Sequence, residues 1–320
     1  MKSLRVIILM MFALCIEIFS AFYNLPEFGE VYGVGGAGSV GSIGSVESIF
    51  YNPAGLAILK RQEFISSYNR HIYTDGVDID IYNIGYAIPL NYGIFVGRKV
   101  VRGRSVRNIL PLRLGLGVGV YGMDVNNGLY KENIYSLVCS SKIDVINKRQ
   151  YLLYGISLKL LGLEYGSDEY TRRDPVFSRG YSRYSFTLDI GFGYFINNSI
   201  IFGINFVNLL PAEIGIEDSK KELVKSRYHF GCSYRFYYSE VLAEIRLSDV
   251  KVEEYVVGYR QAFFKNKLRV SFGVNSSSAN FSVKYKIKTN KMILEPVYSF
   301  SYPYNLISFG SHNLTLKIKF

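Results

Sequence analysis

Three histidines, His71, His229 and His312, and three cysteines, Cys15, Cys139 and Cys232, are the side chains best suited to bind a metal or attack a substrate. Their spacing argues against both roles. Zinc sites draw on close pairs of Cys or His. No CxxC occurs here, and each His lies in a different strand-like run, with no second His or carboxylate at a ligand spacing. Neither GxSxG nor HExxH is present, so acyl transfer and zinc peptidase chemistry lack their anchors. Gly33, Gly35 and Gly38 spell a literal GxGxxG. A dinucleotide site needs a strand before it, a helix after it and an acid about 20 residues on. Here more Gly and Ser follow, and Glu47 and Glu63 fit that distance poorly. Asp168, Glu169 and Asp174 share one loop and supply calcium-type oxygens, with nothing further to support a site. The reading is a protein with no catalytic residue, no metal and no cofactor, hence not an enzyme.

The elements around these residues point elsewhere. Ser311 to Phe320 alternates strictly. Leu314, Leu316, Ile318 and Phe320 take one parity, and Asn313, Thr315, Lys317 and Lys319 take the other. Successive side chains of a strand point to opposite faces, so this strand has one greasy face and one cationic face. A soluble sandwich uses such a strand at an edge, whereas a membrane barrel needs one to close its last gap. The same one-sided pattern recurs. Leu112, Leu114, Leu116, Val118 and Val120 oppose Arg113, Gly115, Gly117, Gly119 and Tyr121; Leu268, Val270 and Phe272 oppose Arg269, Ser271 and Gly273. A charge inside a sandwich core costs too much. Facing a wet lumen it costs little, and apolar-out, polar-in alternation is the transmembrane barrel signature.

Composition agrees. The chain has 320 residues, 28 Tyr, 22 Phe and 30 Gly, with 49% hydrophobic and 20% charged residues, which favours β structure. The net charge of +11 is spread along strands rather than clustered on a helix, so nucleic acid is not an expected partner. Residues 1–21 read as a signal peptide, with Lys2 and Arg5, a short apolar run and small Ser20 and Ala21 for cleavage. Leu14 before Cys15 argues against lipidation.

Gly33-Val34-Gly35-Gly36-Ala37-Gly38, followed by Asn52-Pro53-Ala54-Gly55-Leu56-Ala57, resembles the start of mature outer-membrane proteins of the FadL and PorV type. Those are long-chain fatty-acid transporters and type IX secretion shuttle barrels respectively. The C-terminal alternation ending in Phe320 resembles the assembly signal of outer-membrane barrels, carried by Leu314, Leu316, Ile318 and Phe320. The resemblance implies an all-β fold: a transmembrane antiparallel barrel of about fourteen strands over residues 63–320. Residues 22–62 would form a Gly-rich plug, or hatch, in the lumen. Asn52, Pro53, Ala54 and Gly55 are either its gate or a plain turn at the strand entrance. Location in the cell outer membrane follows. The expected partners are outer-membrane lipid, the barrel-assembly machinery and a hydrophobic small-molecule ligand. The leading expectation is passage of fatty-acid-like solutes past the hatch, through a mostly apolar pocket with a Gly- and Tyr-rich lumen face. The alternative is a PorV/PorQ-like barrel that handles secreted proteins in type IX-like secretion or envelope assembly. A soluble secreted sandwich is a third reading.

Strands are predicted at 63–72, 78–89, 111–124, 131–143, 150–166, 181–196, 198–209, 225–238, 239–249, 254–263, 266–275, 278–288, 291–301 and 310–320. Turns after even strands should be short and periplasmic, and those after odd strands longer and external. Leu90 to Leu110 breaks that rule, which suggests an extra strand pair or a shifted count. It carries Arg98, Lys99, Arg102, Arg104 and Arg107, with no acid between Asn91 and Met123. Such a stretch is a solvated loop or meets anionic groups.

Overall fold

The computed structural model describes residue 22 and residues 28–320, apart from 74–77, 102–103, 147–149, 168–171, 174–176, 178–179, 198, 216–221, 249–250 and 305–307. The expected leader at 1–21, with Cys15, and the acids Asp168, Glu169 and Asp174 lie outside the described residues.

The chain forms a closed antiparallel barrel. Its strands are β1 (Glu63–Tyr73), β2 (Asp78–Val101), β3 (Arg104–Val125), β4 (Tyr130–Ile146), β5 (Gln150–Tyr165), β6 (Ser182–Ile196), β7 (Ile200–Val207) and β8 (Arg227–Phe236). They continue as β9 (Ser239–Ser248), β10 (Lys251–Phe263), β11 (Leu268–Asn275), β12 (Ser278–Tyr285), β13 (Ile287–Lys288), β14 (Ile293–Pro303) and β15 (Ser308–Lys319). Neighbours in sequence pair in turn, β12 pairs β14, and β15 pairs β1 to close the ring. Lys284 faces Val297 and Ile287 faces Leu294, so β13 continues β12 in the same register past Lys286. The wall therefore has fourteen strands, as the alternation predicts.

The two faces also fall as predicted. On β15, Leu314 is 63% exposed and Lys317 is buried. On β5, Ile156 and Leu158 are exposed, while Ser157 and Lys159 are buried. An aqueous fold would leave this belt of aliphatic side chains against water; a bilayer removes that cost. Cys139 and Cys232 are free and lie on the outer face. Tyrosine departs from the expected lumen face. Tyr68, Tyr82, Tyr86, Tyr135, Tyr154 and Tyr184 are exposed, and Tyr121 and Tyr151 are buried inside. An amphipathic ring fits the lipid side, where its hydroxyl reaches toward the wet margin.

Strand ends agree with the predicted ones within 3 residues, except in β2 and β3. There the stretch from Leu90 to Leu110 is neither an extra strand pair nor a shifted count. It is one hairpin that prolongs both strands, with Tyr92 opposite Leu112 and Val101 opposite Arg104. Glu63 of β1 pairs with Ala87, and Leu114 of β3 pairs with Ser141; beyond those levels β2 and β3 pair only with each other. The ribbon stands clear of the rim where β1 begins and β15 ends. Past that rim neither face needs to be apolar, so the period-two signal vanishes although backbone pairing continues. The loop-length rule holds only in part: 276–277 and 126–129 are short connections at the opposite rim.

Candidate functional site

The site is the lumen, and residues 28–62 fill it. This segment is too rich in Gly and Ser for long helices. It folds as helical turns at Gly29–Gly33 and Gly38–Gly41 and as tight 3-10 turns at Val46–Ile49 and Pro53–Ile58. Phe28, Val34, Val40, Val46, Ile49 and Leu56 are all buried. The expected hatch is thus a compact plug that contacts most of the wall strands.

Wall glycines make room for it. A Cβ on Gly155 of β5 would lie 2.5 Å from the Pro53 carbonyl carbon, and one on Gly273 of β11 would lie 2.2 Å from that of Val34. On Gly115 of β3 it would meet Leu56 O at 2.3 Å, and on Gly203 of β7 Ser39 O at 2.3 Å. The glycines read from sequence as the lining of a solute pocket are seats for plug backbone.

Asn52, Pro53, Ala54 and Gly55 come together against Gly155 of β5 and Gly191 of β6. Asn52 Oδ1 accepts from the Ala54 N–H at 3.1 Å, capping the turn that Pro53 opens. Its Nδ2 donates to Ser39 O at 2.7 Å and to Phe192 O of β6 at 3.1 Å. Asn205 of β7 donates to Tyr51 O. Asn52 therefore joins two parts of the plug to the wall.

Ion pairs hold the rest, and sequence reasoning did not single them out. Glu30 of the plug meets Arg269 of β11 at 2.8 Å and Lys284 of β12 at 2.5 Å. Burial alone would raise the Glu30 carboxyl, but those two cations hold it well below its ordinary value, so it stays charged. Glu47 pairs with Lys317 of β15 at 3.3 Å. Ser39 donates through N–H and Oγ to Glu244 of β9, at 2.8 and 2.6 Å. Arg246 and Arg260 donate to the plug carbonyls of Gly36 and Gly41. The readable signal was acids in a Gly-rich segment matched by cations on inward strand positions.

Replacing Glu30 by Gln is expected to loosen the plug by roughly 3 kcal/mol, the low end for breaking a buried pair, because Arg269 keeps some solvent and Lys284 has Glu295 at 3.9 Å. Hydrogen exchange over residues 28–41 should accelerate while the wall strands stay protected; unchanged exchange there would refute the assignment.

Above the plug, the stretch after β7 folds inward and buries Ala212, Ile214 and Val224 against Leu161 and Leu163. Between them lies a cavity of about 30 Å³ bounded by Phe50, Tyr121, Lys159 and Arg227, room for about two waters. A concavity of about 600 Å³ lies among the outward side chains Ile84, Val118, Leu137, Leu158 and Phe186, on the lipid-facing side of the wall and not in the lumen. The histidines are not brought together. His229 is buried beside Glu244 at 3.8 Å, whereas His312 faces outward, within 2.8 Å of the Tyr298 hydroxyl. Among the described residues no group of three metal-ligating side chains is assembled.

Residues 104–318 match the family model described as type IX secretion system membrane protein PorP/SprF. No curated protein sequence matches significantly. Among solved structures, the CymD monoaromatic hydrocarbon channel superposes with a TM-score of 0.58 at 11% identity, over 94% of this chain and 99% of that one. The TodX deltaS2S3 mutant monoaromatic hydrocarbon channel gives 0.52 at 11% identity, over 85% and 93%. A Pseudomonas aeruginosa FadL homologue gives 0.50 at 12% identity, over 92% and 98%. These likenesses establish the shared outer-membrane barrel fold. The family and these neighbours are membrane proteins and channels, not enzymes.

Proposed function

The chain belongs to the type IX secretion system PorP/SprF membrane protein family, and from that premise we propose that it handles proteins at the outer membrane. In this reading the barrel is an anchor that presents its rim to secreted or envelope proteins, and its bore conducts no solute. The observation that carries the reading is the seated plug: its backbone lies on wall glycines, buried ion pairs tie it to the strands, and the pocket between it and the inward fold after β7 holds about 30 Å³. A solute path of drug-like width needs several hundred Å³. Asn52 to Gly55 act here as a fastening and not as a gate.

The second reading, passage of hydrophobic small molecules, is favoured by the three channel-like neighbours, and it requires the plug to move. Two measurements separate the readings. In cells lacking the protein, secreted cargo is expected to accumulate in the periplasm. Purified protein in liposomes is expected to take up labelled fatty acid no faster than protein-free liposomes. Uptake above that background, with secretion intact in the deletion strain, would overturn the protein-handling reading.

A further inference from the structure

The β2–β3 ribbon is the one part of the described wall that neither closes the barrel nor seats the plug. Below Ala87 the outer edge of β2 has no β1 partner, and below Leu114 the outer edge of β3 has no β4 partner. From Ile88 to Val101 and from Arg104 to Arg113, two strands therefore pair only with each other. Fourteen residues of β2 at about 3.3 Å each reach some 45 Å along the strand direction. Two-stranded ribbons are marginal alone, and open edges present unpaired N–H and C=O groups that template a further strand.

Charge specifies what that strand would carry. Arg98, Lys99, Arg104, Arg107 and Arg113 lie on the ribbon, and no Asp or Glu occurs from Asn91 to Met123. The register sets Arg98 directly opposite Arg107. Like charges in that position destabilise a pair, and a bound anion relieves them. Elsewhere this chain neutralises its cations closely, as at Lys317 with Glu47 and Lys319 with Glu63. The ribbon's own sequence contains no Asp or Glu, and no neighbouring strand pairs with it below Ala87 and Leu114.

We infer that the β2–β3 ribbon is a docking edge for an acidic, extended segment of a partner protein, which adds to it as a further β-strand. Backbone hydrogen bonds would supply affinity, and carboxylates facing the Arg98–Arg107 level would supply register and orientation. A lipid surface would meet the same charges but would leave both edges unpaired and would run across the strand direction.

The inference rests on the protein-handling reading and is tested apart from it. The probe is a fluorescent alternating Val-Glu decapeptide, added to the full-length protein in neutral detergent micelles. Binding is expected to weaken with salt. It should fall roughly tenfold or more in an Arg98→Ser, Arg107→Ser variant. It should disappear when alternate peptide nitrogens are methylated, because the charge remains and the strand bonds are lost. Equal binding of the methylated peptide, absence of binding, or an unaffected serine variant would each overturn the inference. Displacement of the peptide by phosphatidylglycerol vesicles would overturn it in favour of a membrane contact. Heat-modifiable gel migration verifies that each variant is a folded barrel. A second variant joins Asn91 to Arg113 by a two-residue turn. If that variant still binds the peptide, the ribbon is not the docking edge, and intact cargo secretion in the same variant leaves the protein-handling reading standing.

Discussion

A Gly155→Val, Gly273→Val double variant is expected to expel the plug from the barrel. Each new Cβ would fall within 2.5 Å of plug backbone, at Pro53 on one side and Val34 on the other. Backbone carbonyl carbons at those positions have no rotamer into which to retreat. Overpacking costs about 1–3 kcal/mol per site where neighbours can yield, and here they yield least. Valine favours strands, so the wall itself gains rather than loses propensity. The variant should still migrate as a heat-modifiable barrel, while residues 28–62 become open to protease and planar bilayers show pore conductance. The control is Ser157→Ala on the same inner face of β5. The Ser157 hydroxyl has no hydrogen-bond partner among the described residues, so that change should be nearly silent. A plug that stays protected in the double variant would show that the glycines are not its seats.

Removing Ser311–Phe320 is expected to abolish the folded barrel altogether. Strand β15 pairs with β1 from Glu63↔Lys319 upward and with β14 from Ile293↔Lys319 upward. Without it both neighbours present open edges to hydrocarbon, at several kcal/mol for each unsatisfied group by order of magnitude. Lys317, the partner of Glu47, goes too. Two milder changes separate closure from recognition by the assembly machinery. Leu314→Arg sets a charge on the lipid face at mid-strand and should cost about 2–4 kcal/mol, the range for the bilayer midplane. Deletion of Phe320 alone leaves every strand pair in place and removes one backbone bond, to Gln62 O, so it should slow membrane insertion while lowering the final stability by no more than about 1 kcal/mol. If that deletion instead lowers stability by more than this and leaves the insertion rate unchanged, Phe320 is a structural residue and no signal.

The wall was legible in the sequence because lipid and lumen impose opposite demands on alternate positions. Leu314, Leu316 and Ile318 against Thr315 and Lys317 could be read without any knowledge of contacts. The plug was legible as a segment, through its Gly-rich start and Asn52-Pro53-Ala54-Gly55. Its attachments were not, since nothing local marks Glu30 or Glu47 as partners of residues more than 200 positions away. The inward glycines misled for a related reason: an absent side chain reads equally well as space for solute and as space for backbone. The length of β2 and β3 was hidden because Arg98, Lys99 and Gly97 interrupt alternation where the bilayer no longer enforces it.

The plug contacts most of the wall strands, and it departs from the interior beside the β1–β15 seam, where Phe320 N–H donates to Gln62 O at 3.0 Å. Where this stopper leaves the bore, its chain is therefore tethered to the very seam that shuts the ring, so that sealing the cylinder and fastening its contents share one backbone bond.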